Sequence, residues 1–245
     1  HIEEIQDQVE LELMRSGEQK VARTYVLYRE ERKQLRQQEA PQKQEKEGIN
    51  ITLENGDEDT LDIKHLEVMV AEACEGLEGT NAQNIIDEAN KNLYDGVTEE
   101  DARTSLVMTS RTLVEQEPNY TYVTARILLD NIRTEALSYL GMQKQATQKE
   151  MEGLYPQALR NFLAKGVENE ILNPELLEMD IDKLGQAIES SRDTEFTYLG
   201  LQTLYDRYFI HDTEIRYELP QVFFMRVSMG LALRENNREE RAIEF

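Results

Sequence analysis

The chain has 245 residues and carries 27 Lys and Arg against 49 Asp and Glu, a net charge of −22 with its three histidines neutral. Such a polyanion repels phosphate backbones and anionic headgroups, which excludes nucleic acid and membrane surfaces as expected partners. No window approaches the ~20 apolar residues that span a bilayer, and residues 1–20 lack the basic-then-apolar order of a signal peptide, so the cytoplasm is the expected location. Cys74 is the single cysteine, which leaves no internal disulfide, thiolate zinc site or redox pair within the chain. Gly and Pro are sparse, Trp is absent, and long stretches of Glu, Leu, Ala, Gln and Arg favour helix. A mainly α fold follows.

Residues 2–37 carry two helical stripes joined at Ser16-Gly17: Ile2, Ile5, Val9 and Leu13, then Val21, Tyr25, Tyr28, Arg32 and Leu35. Two helices alone cannot bury both stripes and need a partner. The run QQEAPQKQEKEG, from Gln37 to Gly48, has no apolar period and reads as a linker over 38–48. Ile49, Ile51 and Leu53 then alternate with polar residues, Asn55-Gly56 supplies a favoured turn, and Leu61 and Ile63 resume the alternation, which predicts a short β-hairpin. Four helical segments follow, near 63–77, 81–94, 98–116 and 119–140. Thr98 with Asp101 three positions on resembles a capping box, and Pro118 separates the third and fourth segments.

Past Gly141 the helical pattern becomes more apolar, with segments near 147–165, 174–190, 194–209 and 218–234. The last, LPQVFFMRVSMGLAL, is apolar almost all round and is expected to be buried; Arg226 within it then needs a carboxylate or helix-end partner. Tyr205, Tyr208, Phe209, Phe223 and Phe224 fall on apolar faces and are expected in the core. Glu239, Arg241 and Ile243 open a further helix with no partner behind it, an ending that suggests a fragment.

Familiar catalytic signatures are absent: no G-x-x-x-x-G-K-[ST], no G-x-G-x-x-G after a strand, no H-E-x-x-H and no G-x-S-x-G. Asp62-x-x-His65 has the spacing of a carboxylate-bridged di-iron ligand pair. Such a site needs a second pair and further carboxylates on facing helices, so no metal is expected. Asn50-Ile-Thr52 and Asn119-Tyr-Thr121 match the glycosylation pattern by accident in a chain with no export signal. The acidic runs 57–59 and 99–101 suit a solvated turn and a helix start.

The hairpin followed by four helices, from ITLENGDEDTLDI through ARILLDNIR, resembles the ATP-cone, a nucleotide-sensing module of ribonucleotide reductase large subunits. YDGVTEEDA, PNYTYVTARILLDNIR, TEFTYLGLQTLYDRYFI and YELPQVFFMRVSMGLAL resemble successive stretches of the class I large subunit, from within the cone into the helical domain before the catalytic barrel. IEEIQDQVELELMRSG and VARTYVLYREERKQLR resemble the last helices of another cone. The resemblance implies a hairpin capping a four-helix cone-like bundle, followed by an all-α domain. The divisions are 1–37, the end of a first cone; 38–48, a linker; 49–140, a second cone; and 141–245, the helical domain.

It further implies a parent that reduces ribonucleoside diphosphates by radical chemistry, under allosteric control by ATP and dATP. That parent works with a radical-generating small subunit and through self-association of large subunits. The redox and thiyl-radical cysteines of that family lie in the barrel, so this chain should hold no catalytic residue, no cofactor and no activity alone, and Cys74 is a small apolar residue. A non-catalytic acidic helical interaction module, or a cone-bearing regulator, is the competing reading.

A nucleoside triphosphate needs cations or helix N-terminal amides around it. Where nucleotide-binding cones carry a basic residue on the first hairpin strand, near the start of the first helix and late in the final helix, the resemblance places Leu53, His65 and Glu135. Glu54, Asp57, Glu58 and Asp59 add repulsion at the hairpin. Asp59, Asp62, His65 and Thr98 remain as candidates for contacting a nucleoside, with Lys64 as a substitute cation. In the first-cone remnant Arg29 and Arg32 could meet phosphates or stabilise their own helix end. The second cone is therefore expected to be a poor nucleotide binder.

Overall fold

The computed structural model describes residues 49–52, 58–61, 63–90, 97–143, 145–211 and 215–245, with side chains from Leu66 onward except that of Glu99. The described residues open with strand β1 (Ile49–Thr52), paired antiparallel with β2 (Glu58–Leu61) in the register Ile49 to Leu61 and Thr52 to Glu58. Helices α1 (Ile63–Cys74) and α2 (Ala82–Asn90) follow, and a two-residue strand β3 (Val97–Thr98) then joins β1 in parallel, giving the order β2-β1-β3. The hairpin is as expected from its alternation. The third strand is an addition: two residues are too short to show a period of 2, and their pairing is decided by a partner 46 positions away, Ile51 to Val97.

Thr98 ends β3 and caps α3 (Glu99–Thr112), its Oγ accepting the Asp101 N–H at 3.0 Å. After a 3₁₀ turn at Leu113–Glu115 and Pro118, α4 (Tyr120–Tyr139) runs through the centre of the fold. Its first turn is tied to the α1–α2 region: the Tyr120 hydroxyl accepts the Asn81 N–H at 3.0 Å and the Asn119 amide donates to the Glu78 carbonyl at 2.9 Å. One turn later the Arg126 guanidinium donates to the carbonyls of Ala73 and Glu75 at 3.0 and 2.8 Å, satisfying acceptors that the end of α1 leaves without helical partners.

α5 (Gln148–Glu168) begins with a reciprocal capping box between Thr147 and Glu150. The expected single helix over 174–190 is replaced by three short pieces: a 3₁₀ turn at Pro174–Glu178, α6 (Ile181–Gln186) and a 3₁₀ turn at Ser190–Glu195. Local chemistry explains the breaks. The Asn173 side chain accepts the Glu175 N–H at 2.9 Å, and Asp180 starts α6 by accepting the Lys183 N–H at 3.0 Å. α7 (Tyr198–Arg207), α8 (Pro220–Ala232) and α9 (Arg238–Glu244) complete the chain. The expectation that the terminal helix lacks a partner is corrected: α9 buries Ala242 against α8 and α6.

Two cores meet along α4. Val123, Ile127, Leu129 and Ile132 pack with Val70, Ile85, Val97 and Ala102, and this core also takes in Leu201 of α7 and Phe209 after it. From Ala136 onward α4 belongs to a second core with Met151, Tyr155, Leu159, Leu163, Leu184, Val222 and Met229. α8 is not buried all round, as its composition led one to expect. Val222, Met225, Ser228 and Met229 face inward, whereas Phe224, Val227 and Leu231 are exposed. Tyr208 is exposed as well, so it and Phe224 leave the expected core; Phe209 is buried, and Tyr205 and Phe223 are partly buried against it.

Candidate functional site

The strand register locates the residues proposed to meet a nucleotide. Glu58, Thr52 and Thr98 occupy one row across the sheet, and Asp59, Ile51 and Val97 the next. Asp59 and Thr98 therefore lie on neighbouring rows, two strands apart, roughly 10 Å between backbones at ordinary sheet spacing. α1, which carries His65 in its first turn, starts beyond Leu61, and Leu61 pairs with Ile49 at the opposite end of β1 from Thr52 and Thr98. The described backbone thus places Asp59 near Thr98 and starts the His65 helix at the far end. Asp62, Leu53, Arg29 and Arg32 lie outside the described residues.

Because β3 runs parallel to β1, the N-terminus of α3 emerges at the sheet end from which the 53–57 connection leaves β1. The amide end of a 14-residue helix is a natural seat for an anion. Here that seat is already furnished. The Thr98 hydroxyl is committed to the Asp101 N–H, and the helix opens with the sequence Glu99-Glu100-Asp101, whose formal negative charge disfavours a phosphate at this end.

Glu135 is engaged elsewhere. One carboxylate oxygen accepts the Arg216 N–H at 2.6 Å and the other accepts the Tyr205 hydroxyl at 3.0 Å, while the Arg216 guanidinium stacks over the Tyr205 ring at 4.3 Å. Burial pushes the Glu135 carboxyl above its ordinary range, against the lowering effect of those hydrogen bonds, and burial with Glu135 alongside raises the Tyr205 phenol. The side chain in the late-helix position thus links α4 to α7 and to the segment before α8.

Three buried ion pairs escaped the sequence reading as pairs, although Arg226 was expected to need a carboxylate. Arg103 meets Asp130 at 2.6 Å between α3 and α4. Arg133 meets Asp193 at 3.1 Å, and Asp193 also accepts from the Tyr155 hydroxyl at 2.7 Å and the Gln221 amide at 2.9 Å, joining α4, α5 and α8 at one carboxylate. Arg226 grips Glu218 through two nitrogens, at 2.5 and 3.2 Å, and Glu218 also accepts the Ile210 N–H at 2.7 Å. Burial raises both Asp193 and Glu218, with their arginines pulling the other way. Each pair ties neighbouring elements together and is structural in geometry, although the Arg133 Nε is buried without a hydrogen-bond partner. The only sequence signal was a charged residue among apolar ones, which names no partner.

Comparison with known proteins identifies two family models. One described as the ATP cone domain matches residues 1–34 and 49–135, and one described as the ribonucleotide reductase all-alpha domain matches residues 194–245. The chain is 38% identical over 254 residues to the ribonucleoside-diphosphate reductase subunit alpha of Chlamydia muridarum, covering 100% of this chain and 23% of that protein. Against the protein of the same name from Chlamydia trachomatis it is 39% identical over 251 residues, with the same coverage of 100% and 23%. With that from Helicobacter pylori it shares 28% identity over 199 residues, covering 80% of this chain and 24% of the relative. The chain spans about a quarter of the length of the curated relatives it matches.

Proposed function

The chain belongs to the ribonucleotide reductase large-subunit family and corresponds to the N-terminal part of its alpha subunits, and from that premise we propose that it is the regulatory and helical entry region of a ribonucleoside-diphosphate reductase. Residues 1–37 end a first ATP-cone, 49–140 form a second, and 141–245 form the helical domain. The whole protein reduces ribonucleoside diphosphates with a radical supplied by a separate small subunit, with ATP and dATP as its effectors, in the cytoplasm and through association of large subunits. The 245-residue chain on its own is inactive.

Within this reading the second cone keeps its fold and binds nucleotide poorly. The observation that carries it is the state of the anion seat: the α3 N-terminus is capped by Thr98, and its first three residues in sequence are Glu99, Glu100 and Asp101. The engagement of Glu135 with Tyr205 and Arg216 supports it, because the late-helix position offers a carboxylate that already has partners. The register puts Asp59 one row from Thr98, whereas the helix that carries His65 starts beyond Leu61, at the other end of β1. Sensing then falls to the preceding cone, where Arg29 and Arg32 are the proposed phosphate contacts.

Calorimetric titration of the 245-residue chain with ATP and with dATP tests the cone. The expected result is no saturable heat at micromolar nucleotide, and a micromolar dissociation constant for either refutes poor binding. A deoxyribonucleotide-forming assay of the full-length protein with its small subunit tests the wider reading.

A further inference from the structure

Of the seven residues of α9, REERAIE, five are charged and Ala242 is the buried one. A helix of that length is far too short to be stable alone in water, so it exists because it is docked. Apolar contact does little of the docking, since Ile243 and the following Phe245 are 42% and 54% exposed. Asn237, in the left-handed region at φ 58°, turns the chain into the helix, and its side chain caps no amide. The polar contacts are matched in sign along the whole length. Arg234, just before α9, meets Glu175 of the 3₁₀ turn through two nitrogens at 2.8 and 3.1 Å. Four residues on, Arg238 donates to the Glu178 carbonyl at 2.6 Å and has the Glu178 carboxylate 4.0 Å away. On α6 the signs reverse: Lys183 pairs with Glu240, and the Asp180 N–H donates to the Glu239 carboxylate at 3.3 Å. The hydrogen bond between them raises the Lys183 ammonium and lowers the Glu240 carboxyl, so both stay charged across the neutral range.

We propose that α9 is a salt-operated strap, docked on the 3₁₀ turn and on α6 by these complementary charges and released locally, ahead of the rest of the fold, when ionic strength rises. Exposed pairs are weak one by one, but they act on a helix with little else to hold it, so their loss decides whether it stays. The screening length falls from roughly 20 Å in 20 mM salt to roughly 4 Å in 500 mM, which reaches the separation of the pairs themselves. The body of the fold should respond in the opposite direction. Its own pairs, Arg103 with Asp130, Arg133 with Asp193 and Arg226 with Glu218, are largely buried and little screened. Salt also relieves the self-repulsion of a chain with net charge −22, which favours the compact state. The sign of the salt response thus separates strap from body. Release unwinds α9 and uncovers the side of α6 and α8 on which Ala242 is seated.

Hydrogen exchange read by mass spectrometry at pH 7.5, at those two concentrations of sodium chloride, tests the strap in the full-length protein and in the 245-residue chain. Peptides covering 238–244 should be protected at low salt and exchange about fivefold faster or more at high salt, while α4 and α5 stay unchanged or slow down. Lys183→Glu should speed exchange in α9 at low salt, and adding Glu240→Lys should recover about half of the lost protection or more, because the pair is restored with its signs exchanged. Arg234→Gln is run in parallel in case Lys183→Glu impairs folding; it should also speed exchange in α9 at low salt and shrink the response to salt. The proposal is overturned by an α9 unprotected at low salt, by exchange that ignores salt, by loosening shared with α4 and α5, or by no recovery on exchanging the charges. A salt response in the 245-residue chain that is missing from the full-length protein overturns it too, since that is the fraying of a chain end.

Discussion

Replacing Arg226 by methionine separates ion pairing from packing in α8. The Glu218 side chain is fully buried and Arg226 is 19% exposed, with the two joined by a bidentate contact and Glu218 held in addition by the Ile210 N–H. Methionine keeps an unbranched apolar stem but gives up the guanidinium contact with the Phe223 ring at 5.3 Å, and it leaves a buried carboxylate with one donor. Breaking a buried pair by removing one partner costs about 3–5 kcal/mol, and the partial exposure of Arg226 brings the expected loss to about 2–4 kcal/mol. For a unit of this size about 3 kcal/mol lowers Tm by roughly 6–12 °C. Thermal unfolding by circular dichroism at pH 7.5 measures it. At pH 5.5 the loss should shrink, because burial already raises the Glu218 carboxyl and protonation removes the stranded charge. Adding Glu218→Gln should restore more than half of the lost Tm at pH 7.5, since the pair then leaves with its charge. A single-variant shift under about 2 °C, or no recovery in the double variant, refutes the view that this pair is an energetic unit.

Three further outcomes follow from the packing. Gly185→Ala places a Cβ 2.9 Å from the Pro156 Cα on the facing helix, a backbone atom that cannot swing away, and should cost about 1–3 kcal/mol in chemical denaturation. Leu201→Ala, on α7 yet inside the core built from α1 to α4, should cost about 2–5 kcal/mol, and hydrogen exchange should quicken in α4 as well as in α7. A change confined to α7 would show that the shared core does not couple them. Stability should also rise as pH falls from 8 toward 5. Glu135, Asp193 and Glu218 all have folded pKa values raised by burial, so their contribution is full below ordinary carboxylate values of 4.5 and 3.8 and is lost as pH rises through the raised ones. A denaturation midpoint that falls over that interval contradicts the assignment.

The helical periods of α1 to α5 are legible because each apolar stripe recurs over three turns or more, and the paired hairpin strands and the Thr98 cap are legible because alternation and capping are local chemistry; the Asn55-Gly56 turn lies outside the described residues. The 174–190 region shows where periodicity misleads: Asn173-Pro174 and Asp180 interrupt a sound apolar pattern by offering the backbone competing hydrogen bonds. The acidic start of α3 was visible in the residues, whereas the sheet end it faces needed β3 and its parallel register. Glu135 was noted for its charge, but Tyr205 and Arg216 lie 70 and 81 positions away, and no local pattern points to them.

By itself the order of residues determined a mainly helical chain, its caps and turn, its excess of negative charge and its family, since each follows from short-range spacing or from composition. The tertiary structure alone decided which buried charge meets which, that α7 completes the core of the preceding helices, and that one side of an almost wholly apolar α8 faces outward. Those outcomes depend on surfaces brought together from distant parts of the chain, and a helix with apolar residues on every side carries no internal mark of which side will be covered.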